Sequence, residues 1–239
     1  MELIYLTTLT LIASAVGTMT GFGTSTIMVP LLSLFLPLPL VLLFVGVLHW
    51  FGDIWKMLFF KKGFNGKLIL LFGIPGIIAS FWAARLPLTL PEELLQRSLG
   101  LFLVLYVAIL WLKPDWKMKP SNNNALLGGA LSGFFSGVFG VGGALRSTFL
   151  SAYNLPKSVF LFTSGVIGLL IDSSRVTQYF ISGIRIEGYL LLTLVVCVPI
   201  SLLGAYLAKK LIDKIPQRSF RLFIAVALFL VGLRYLFIA

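Results

Sequence analysis

The sequence predicts an all-α polytopic membrane protein made of two inverted-topology repeats, each with one broken, re-entrant helix and three transmembrane helices. Three observations carry that prediction. Of 239 residues, 59% are hydrophobic and 11% are charged, whereas about a quarter of a soluble domain is charged. A glycine motif followed by an acidic–basic pair occurs twice at one offset. Finally, the Lys and Arg residues gather at a few connections between apolar runs. This composition excludes a soluble enzyme, a disordered chain and a disulfide-stapled secreted domain. The excess of 19 Lys+Arg over 8 Asp+Glu, a net charge of +11, would suggest nucleic acid in a soluble protein. In an apolar chain it reports topology, because basic residues collect on cytoplasmic loops. The expected surroundings are therefore a lipid bilayer, with no nucleic-acid partner.

The repeat is read across a polar linker at 113–124, which is rich in Lys, Pro and Asn and separates a first repeat, 1–112, from a second, 125–239. Gly21-Phe22-Gly23 aligns with Gly140-Val141-Gly142, and the same offset pairs Pro37 with Pro156, Asp53 with Asp172, Lys56 with Arg175 and Phe60 with Tyr179. With a small gap, Pro75 then meets Pro199 and Trp82 meets Tyr206. Apolar matches are ordinary. An acid followed by a base within two apolar helices, at one offset, is not.

Taken in order, the first segment, 2–36, is too long for one crossing and too short for two, and glycines at 17–23 interrupt it. Arms of about 14 residues, ~20 Å of helix, would reach the bilayer middle and return. Segments 39–60, 67–85 and 91–112 follow, each near the ~20 residues that cross a hydrocarbon core. The second repeat begins with a similar broken segment at 125–155, interrupted at 137–143, and continues with 156–181, 186–210 and 216–237. Loop charges test the topology. Lys56, Lys61, Lys62 and Lys67 place the connection near Asn65 in the cytoplasm, Lys113, Lys117 and Lys119 the linker, and Lys209, Lys210, Lys214, Arg218 and Arg221 the connection near Asp213. Eight full crossings would put that last, most basic connection outside. Six crossings plus two re-entrant segments put every basic connection inside and both termini outside. Three crossings per repeat then give the repeats opposite orientation, as in many secondary transporters. The N-terminus lacks a basic leader region and reads as mature sequence.

Broken backbone at membrane depth is tolerated where it is buried in protein or lines a wet cavity. Half-helices beginning at about Thr24 and about Gly143 would each present unpaired N–H groups and a positive dipole end, an arrangement suited to an anion. The candidate binding residues are Gly21, Gly23, Thr24 and Ser25 at the first break, and Gly140, Gly142, Gly143 and Arg146 at the second. Thr26, Ser147 and Thr148 are further hydroxyl donors, and Thr163 and Ser164 lie on the following segment of the second repeat. Arg146 puts a full charge where charge is least tolerated; snorkelling or pairing with Asp172 is its plainer reading. Likewise the glycines could serve only close helix packing. Asp53 with Lys56 and Asp172 with Arg175 are spaced i,i+3, so each pair can neutralise itself on one helix face. Their structural reading stands beside a role in gating or proton coupling. His49, the only histidine, lies one turn before Asp53 and has the same two readings. The tryptophans, including Trp50, Trp55, Trp82 and Trp111, fit interface belts and lipid-facing bulk.

On these motifs the chain resembles the sulfite exporter TauE/SafE family: two four-segment units, a glycine motif early in each, Gly140-Val141-Gly142-Gly143, 161–165, and the run from Ile171 to Gly183. It departs from the family's glycine pattern at Thr24 to Thr26 and at Ala144, and Phe149 stands where a Pro would fall. The resemblance implies export of small sulfur-containing anions (sulfite, sulfonates or sulfoacetate) across a bacterial inner membrane. The repeat and the glycine breaks lead to the expectation of alternating access by rocking of one repeat against the other, with the half-helix tips holding the anion. The alternatives are a proton- or cation-coupled transporter of another small solute using Asp53 and Asp172, and a channel or assembly subunit. An enzyme is not expected, since no Ser/His pair, paired carboxylates or phosphate-binding glycine loop is present. Neither a cofactor nor a metal is expected; Cys197 is alone. The oligomeric state, monomer or homodimer, is left open by the sequence.

Overall fold

The computed structural model describes residues 2–112, 119–211 and 217–238. Lys113 and Lys117 of the linker, and Asp213 and Lys214, lie outside the described residues, as do the side chains of Arg218 and Arg221. Of the described residues 84% are helical, and none is in a strand. In the first unit α1 runs Glu2–Thr20, α2 Ser25–Leu32, α3 Leu38–Phe59, α4 Gly66–Ala83, the single turn α5 Leu86–Thr89, and α6 Glu92–Leu112. In the second, α7 runs Asn122–Phe139, α8 Gly142–Ser151, α9 Lys157–Ile181, α10 Gly188–Leu211 and α11 Gln217–Ile238.

Helix starts follow local chemistry. Pro37 and Pro156 stand immediately before α3 and α9, where their missing N–H costs nothing. The Asn65 side chain accepts from the Leu68 N–H at 3.0 Å, and Ser121 Oγ accepts from the Asn124 N–H at 3.2 Å, capping α4 and α7. Among the described residues five helical stretches are long and apolar enough to cross a membrane: Leu3–Thr20, Leu38–Phe59, Gly66–Thr89, Lys157–Ile181 and Gly188–Leu211. The outer surface agrees. Leu70, Ile74, Ile78 and Trp82 form one stripe along α4 at 56–62% exposure. In water such a stripe would be an aggregation surface; in a bilayer it faces lipid.

The arms of the broken segments are unequal. In place of about 14 residues each, α1 has 19 and α2 has 8, and α7 has 18 against 10 in α8. The half-helix starts, near Thr24 and Gly143, fall where the sequence placed them.

Four helix pairs make the most extensive packing: α4 with α7, α1 with α10, α6 with α11 and α3 with α9. Exchanging the two units turns the first pair into the second and leaves the other two unchanged. Small residues permit the closest of these. Gly129, Gly133 and Gly137 of α7 lie directly against the backbone of Phe72, Gly76 and Ser80 in α4, and Gly204 of α10 lies against Leu11 in α1. In the middle, α3 is apolar on almost all sides, with Leu38, Val41, Leu42, Val45 and Leu48 inaccessible. That burial brings its polar residues into the protein interior, opposite those of α9.

Candidate functional site

The two breaks touch each other. Ser147 Oγ, in the second turn of α8, donates to the Gly21 carbonyl at 2.6 Å. Gly143 lies so close to the Phe22 carbonyl that a Cβ would overlap its oxygen. Gly21, Gly23 and Gly140 have φ of +76°, +84° and +70°, a region that side chains with a Cβ rarely enter. Gly142 has helical backbone, and its requirement is space: a Cβ would strike the Ser132 carbonyl oxygen. Of the hydroxyls near the tips, Thr26 donates to the Phe22 carbonyl and Thr148 to the Ala144 carbonyl, each at 3.0 Å, the back-bonding common in membrane helices. Thr24 precedes α2 without a side-chain cap bond. Ser25 turns inward, its Oγ 3.3 Å from His49 Nδ1.

Behind the tips lies a cluster of charges. His49, Asp53 and Lys56 of α3, Arg146 of α8, and Asp172 and Arg175 of α9 are all at most 1% exposed. Both i,i+3 pairs form as expected: Lys56 Nζ binds Asp53 Oδ1, and Arg175 Nε donates to Asp172 Oδ1 at 2.7 Å. Ser136 Oγ of α7 donates to the same Asp172 oxygen at 3.3 Å. Across the units, His49 Nδ1 lies 2.6 Å from Asp172 Oδ2, and its Nε2 lies 3.8 Å from Asp53 Oδ1. Arg146 Nε donates to Ser164 Oγ at 3.1 Å, while its Nη2 is 4.0 Å from Asp53 Oδ1. Arg146 is therefore drawn toward Asp53 and not toward Asp172, and it does not snorkel.

Two glycines make room for this cluster. A Cβ on Gly23 would overlap the His49 ring, and one on Gly168 would overlap Asp53 Oδ2 and crowd Arg146 Nη2 at 2.7 Å. The offset that relates Asp53 to Asp172 relates His49 to Gly168. Each carboxylate thus has a basic residue three positions on and one further cationic or titratable neighbour from the opposite unit. Asp172 receives His49; Asp53 receives Arg146, in the space left by the glycine.

Among the described residues, Nη1 and Nη2 of both Arg146 and Arg175 donate no hydrogen bond, and His49 Nε2, Asp53 Oδ2 and Asp172 Oδ2 have no hydrogen-bond partner. Three fixed cations face two carboxylates, so the cluster carries a net charge of +1 with His49 neutral. His49, Asp53 and Asp172 each offer a ligand atom within 4.8 Å of the others, a metal-like spacing. Lys56 and Arg175 already occupy one oxygen of each carboxylate, however, and a metal ion would meet three cations. The charge suits an anion instead.

Of the residues expected at the site, Gly21, Gly23, Ser25, Gly140, Gly142, Gly143, Arg146, Ser164, His49, Asp53, Lys56, Asp172 and Arg175 gather at or beside the joined tips. Thr163 does not join them, because its Oγ1 accepts from the Asn65 N–H at 3.0 Å and ties down the α3–α4 connection. Trp50 and Trp55 donate to Ser173 and Ser201 on α9 and α10 at 2.9 and 3.0 Å, so they join helices, whereas Trp82 faces outward. Sequence reasoning missed Ser136 and Gly168. The offset that pairs the two aspartates also pointed to Gly168, as the counterpart of His49.

The model of the sulfite exporter TauE/SafE family matches residues 6–235. The chain belongs to this family. No curated protein matches it. TauE/SafE membership and the apolar helices identify a multi-pass membrane protein of a transporter family whose cargo is a small anion. The family name speaks of sulfite export, and a positively charged buried cluster is compatible with it.

Proposed function

We propose that this TauE/SafE protein is a secondary transporter that exports small sulfur-containing anions such as sulfite, sulfonates or sulfoacetate across a bacterial inner membrane by alternating access. The anion is held at the joined tips of the two breaks. The observation that carries this reading is Arg146: a guanidinium with no exposure and two nitrogens without hydrogen-bond acceptors, whose charge leaves the cluster at +1 with His49 neutral. An uncompensated charge in this environment is costly. An anion beside Arg146 satisfies its donors and neutralises the cluster. The exchange symmetry of the helix pairs supports two repeats, at 1–112 and 125–239, and the loop charges support their inverted orientation with both termini outside.

The chain's own groups have distinct roles. Arg146 binds the anion, Ser164 fixes the guanidinium through its Nε, and the two i,i+3 pairs share the carboxylates so that Asp53 only partly neutralises Arg146. With the cytoplasm negative, each exported negative charge gains about 2.3 kcal/mol per 100 mV, so outward transport proceeds without ATP. The test is a thermal-shift screen followed by flux from proteoliposomes. Sulfite and organosulfonates should stabilise the wild-type chain more than chloride or phosphate does, since a ligand of the folded state raises its stability. Arg146→Ala should lose two charge-assisted hydrogen bonds at about 1.5–3 kcal/mol each, weakening affinity roughly a hundredfold or more. Unchanged affinity and flux in folded Arg146→Ala would refute the site.

A further inference from the structure

We propose that His49 is a proton-binding site filled together with the anion, so that the species carried is an anion plus one proton. This rests on the anion-transport reading above and adds the second cargo.

The geometry comes from both units. His49 Nδ1 lies 2.6 Å from Asp172 Oδ2, without a well-aligned hydrogen bond, and 3.3 Å from Ser25 Oγ. An ionised carboxylate only accepts, so this approach favours the tautomer with its hydrogen on Nδ1. In the neutral ring Nε2 then carries a lone pair. That nitrogen lies 3.8 Å from Asp53 Oδ1, another acceptor, has no hydrogen-bond partner and rests against the backbone of Gly23. A proton at Nε2 turns two facing acceptors into a donor and an acceptor. The groups around it are Asp53 and Lys56 on its own helix, Asp172 and Arg175 from α9, Arg146 from α8 and the Ser25 hydroxyl from α2. From α10, Ser201 reaches α3 at Trp55, away from the cluster.

The relation between the units sharpens the assignment. At equivalent places beside the two carboxylates stand a guanidinium, whose charge is permanent, and an imidazole, the side chain whose charge changes in the physiological pH range. One half of the site thus has a fixed cation and the other a switchable one. Proton and anion attract each other, and by reciprocity each strengthens binding of the other by the same factor. With the proton aboard, the cluster's net charge rises from +1 to +2, which matches a dianion. A dianion travelling with one proton still carries one negative charge outward along the membrane potential.

The experiment uses the full-length chain in liposomes with a pH-sensitive dye inside and sulfoacetate, a dianion at neutral pH, as the probe. An outward sulfoacetate gradient should carry protons out at one per anion and make the lumen alkaline. Calorimetry in buffers of different ionisation enthalpy should give one proton taken up per sulfoacetate bound, with Kd rising up to tenfold per pH unit on the alkaline side. His49→Gln, which keeps a polar side chain but cannot hold the charge, should abolish proton movement in whatever flux remains. Because the wild-type proton count and Kd profile need no variant, misassembly of His49→Gln does not remove the test. Sulfoacetate flux without protons, a pH-independent Kd, or undiminished proton movement in His49→Gln overturns the inference and leaves anion transport standing. Absence of flux for sulfoacetate, sulfite and simple sulfonates alike overturns the transport reading itself.

Discussion

Asp172→Asn changes a single charge at nearly constant volume, and its cost follows from the contacts of that carboxylate. Oδ1 accepts from Arg175 Nε at 2.7 Å and Ser136 Oγ at 3.3 Å, and Oδ2 faces His49 Nδ1 at 2.6 Å. The substitution leaves Asp53 as the only anion among Lys56, Arg146 and Arg175, so the net charge goes from +1 to +2 with nothing added to compensate. Losing one partner of a buried pair costs about 3–5 kcal/mol. Counting two charge-assisted contacts at about 1.5–3 kcal/mol each gives about 3–6 kcal/mol, an overlapping range. Asparagine can still accept from Arg175, which places the expected loss near the lower end, at about 3 kcal/mol. Arg175→Leu on the same background removes the orphaned cation, so the double variant should recover about 2 kcal/mol relative to additivity. The assay is unfolding in mixed micelles followed by tryptophan fluorescence, applied to all four members of the cycle. A loss below about 1 kcal/mol for Asp172→Asn, or additivity within about 0.5 kcal/mol, would refute the claim that this pair holds its charge by mutual compensation.

Two further substitutions probe the glycines. Gly23→Ala requires an L-residue at a φ of +84° and pushes a methyl into the His49 ring. A stability loss of roughly 1–3 kcal/mol is expected, with the thermal shift produced by sulfite reduced to less than half; a full shift would separate this turn from the site. Gly133→Val places its side chain on the Gly76 carbonyl and should force α7 from α4, costing about 3 kcal/mol and yielding polydisperse protein by size-exclusion chromatography. Wild-type elution and melting would show that this contact is not tight.

The spanning helices were legible because an apolar run of the right length has few other uses, and α3, α4, α9 and α10 begin and end within a few residues of the expected limits. The lengths of the broken arms were not legible, for an identifiable reason. Gly17 and Gly137 read as part of the interruption, yet both lie inside continuous helix. Gly17 presses against the backbone of Gly23 and Thr24, and Gly137 against Ser80. A glycine that turns the chain and one that admits a neighbour look alike until the neighbour is present. The site divided in the same way. The Asp–basic pairs follow from i,i+3 spacing on one helix. The link from His49 to Asp172 depends on how α3 meets α9, and the role of Gly168 depends on where Arg146 extends.

The glycine-lined contacts have a mechanical consequence. Backbone touches backbone between α4 and α7 and between α10 and α1, and each of these pairs joins one repeat to the other. Swinging one complete repeat past the other would have to part both seams and give up the close main-chain packing that the glycines permit. A division that keeps α4 with α7 and α1 with α10 leaves both seams closed and places the sliding surface along α3 and α9, through the charged cluster. The halves that the sequence counts off are therefore not the most tightly packed units: duplication set the number of parts, and the smallest side chains determined which of them lie closest.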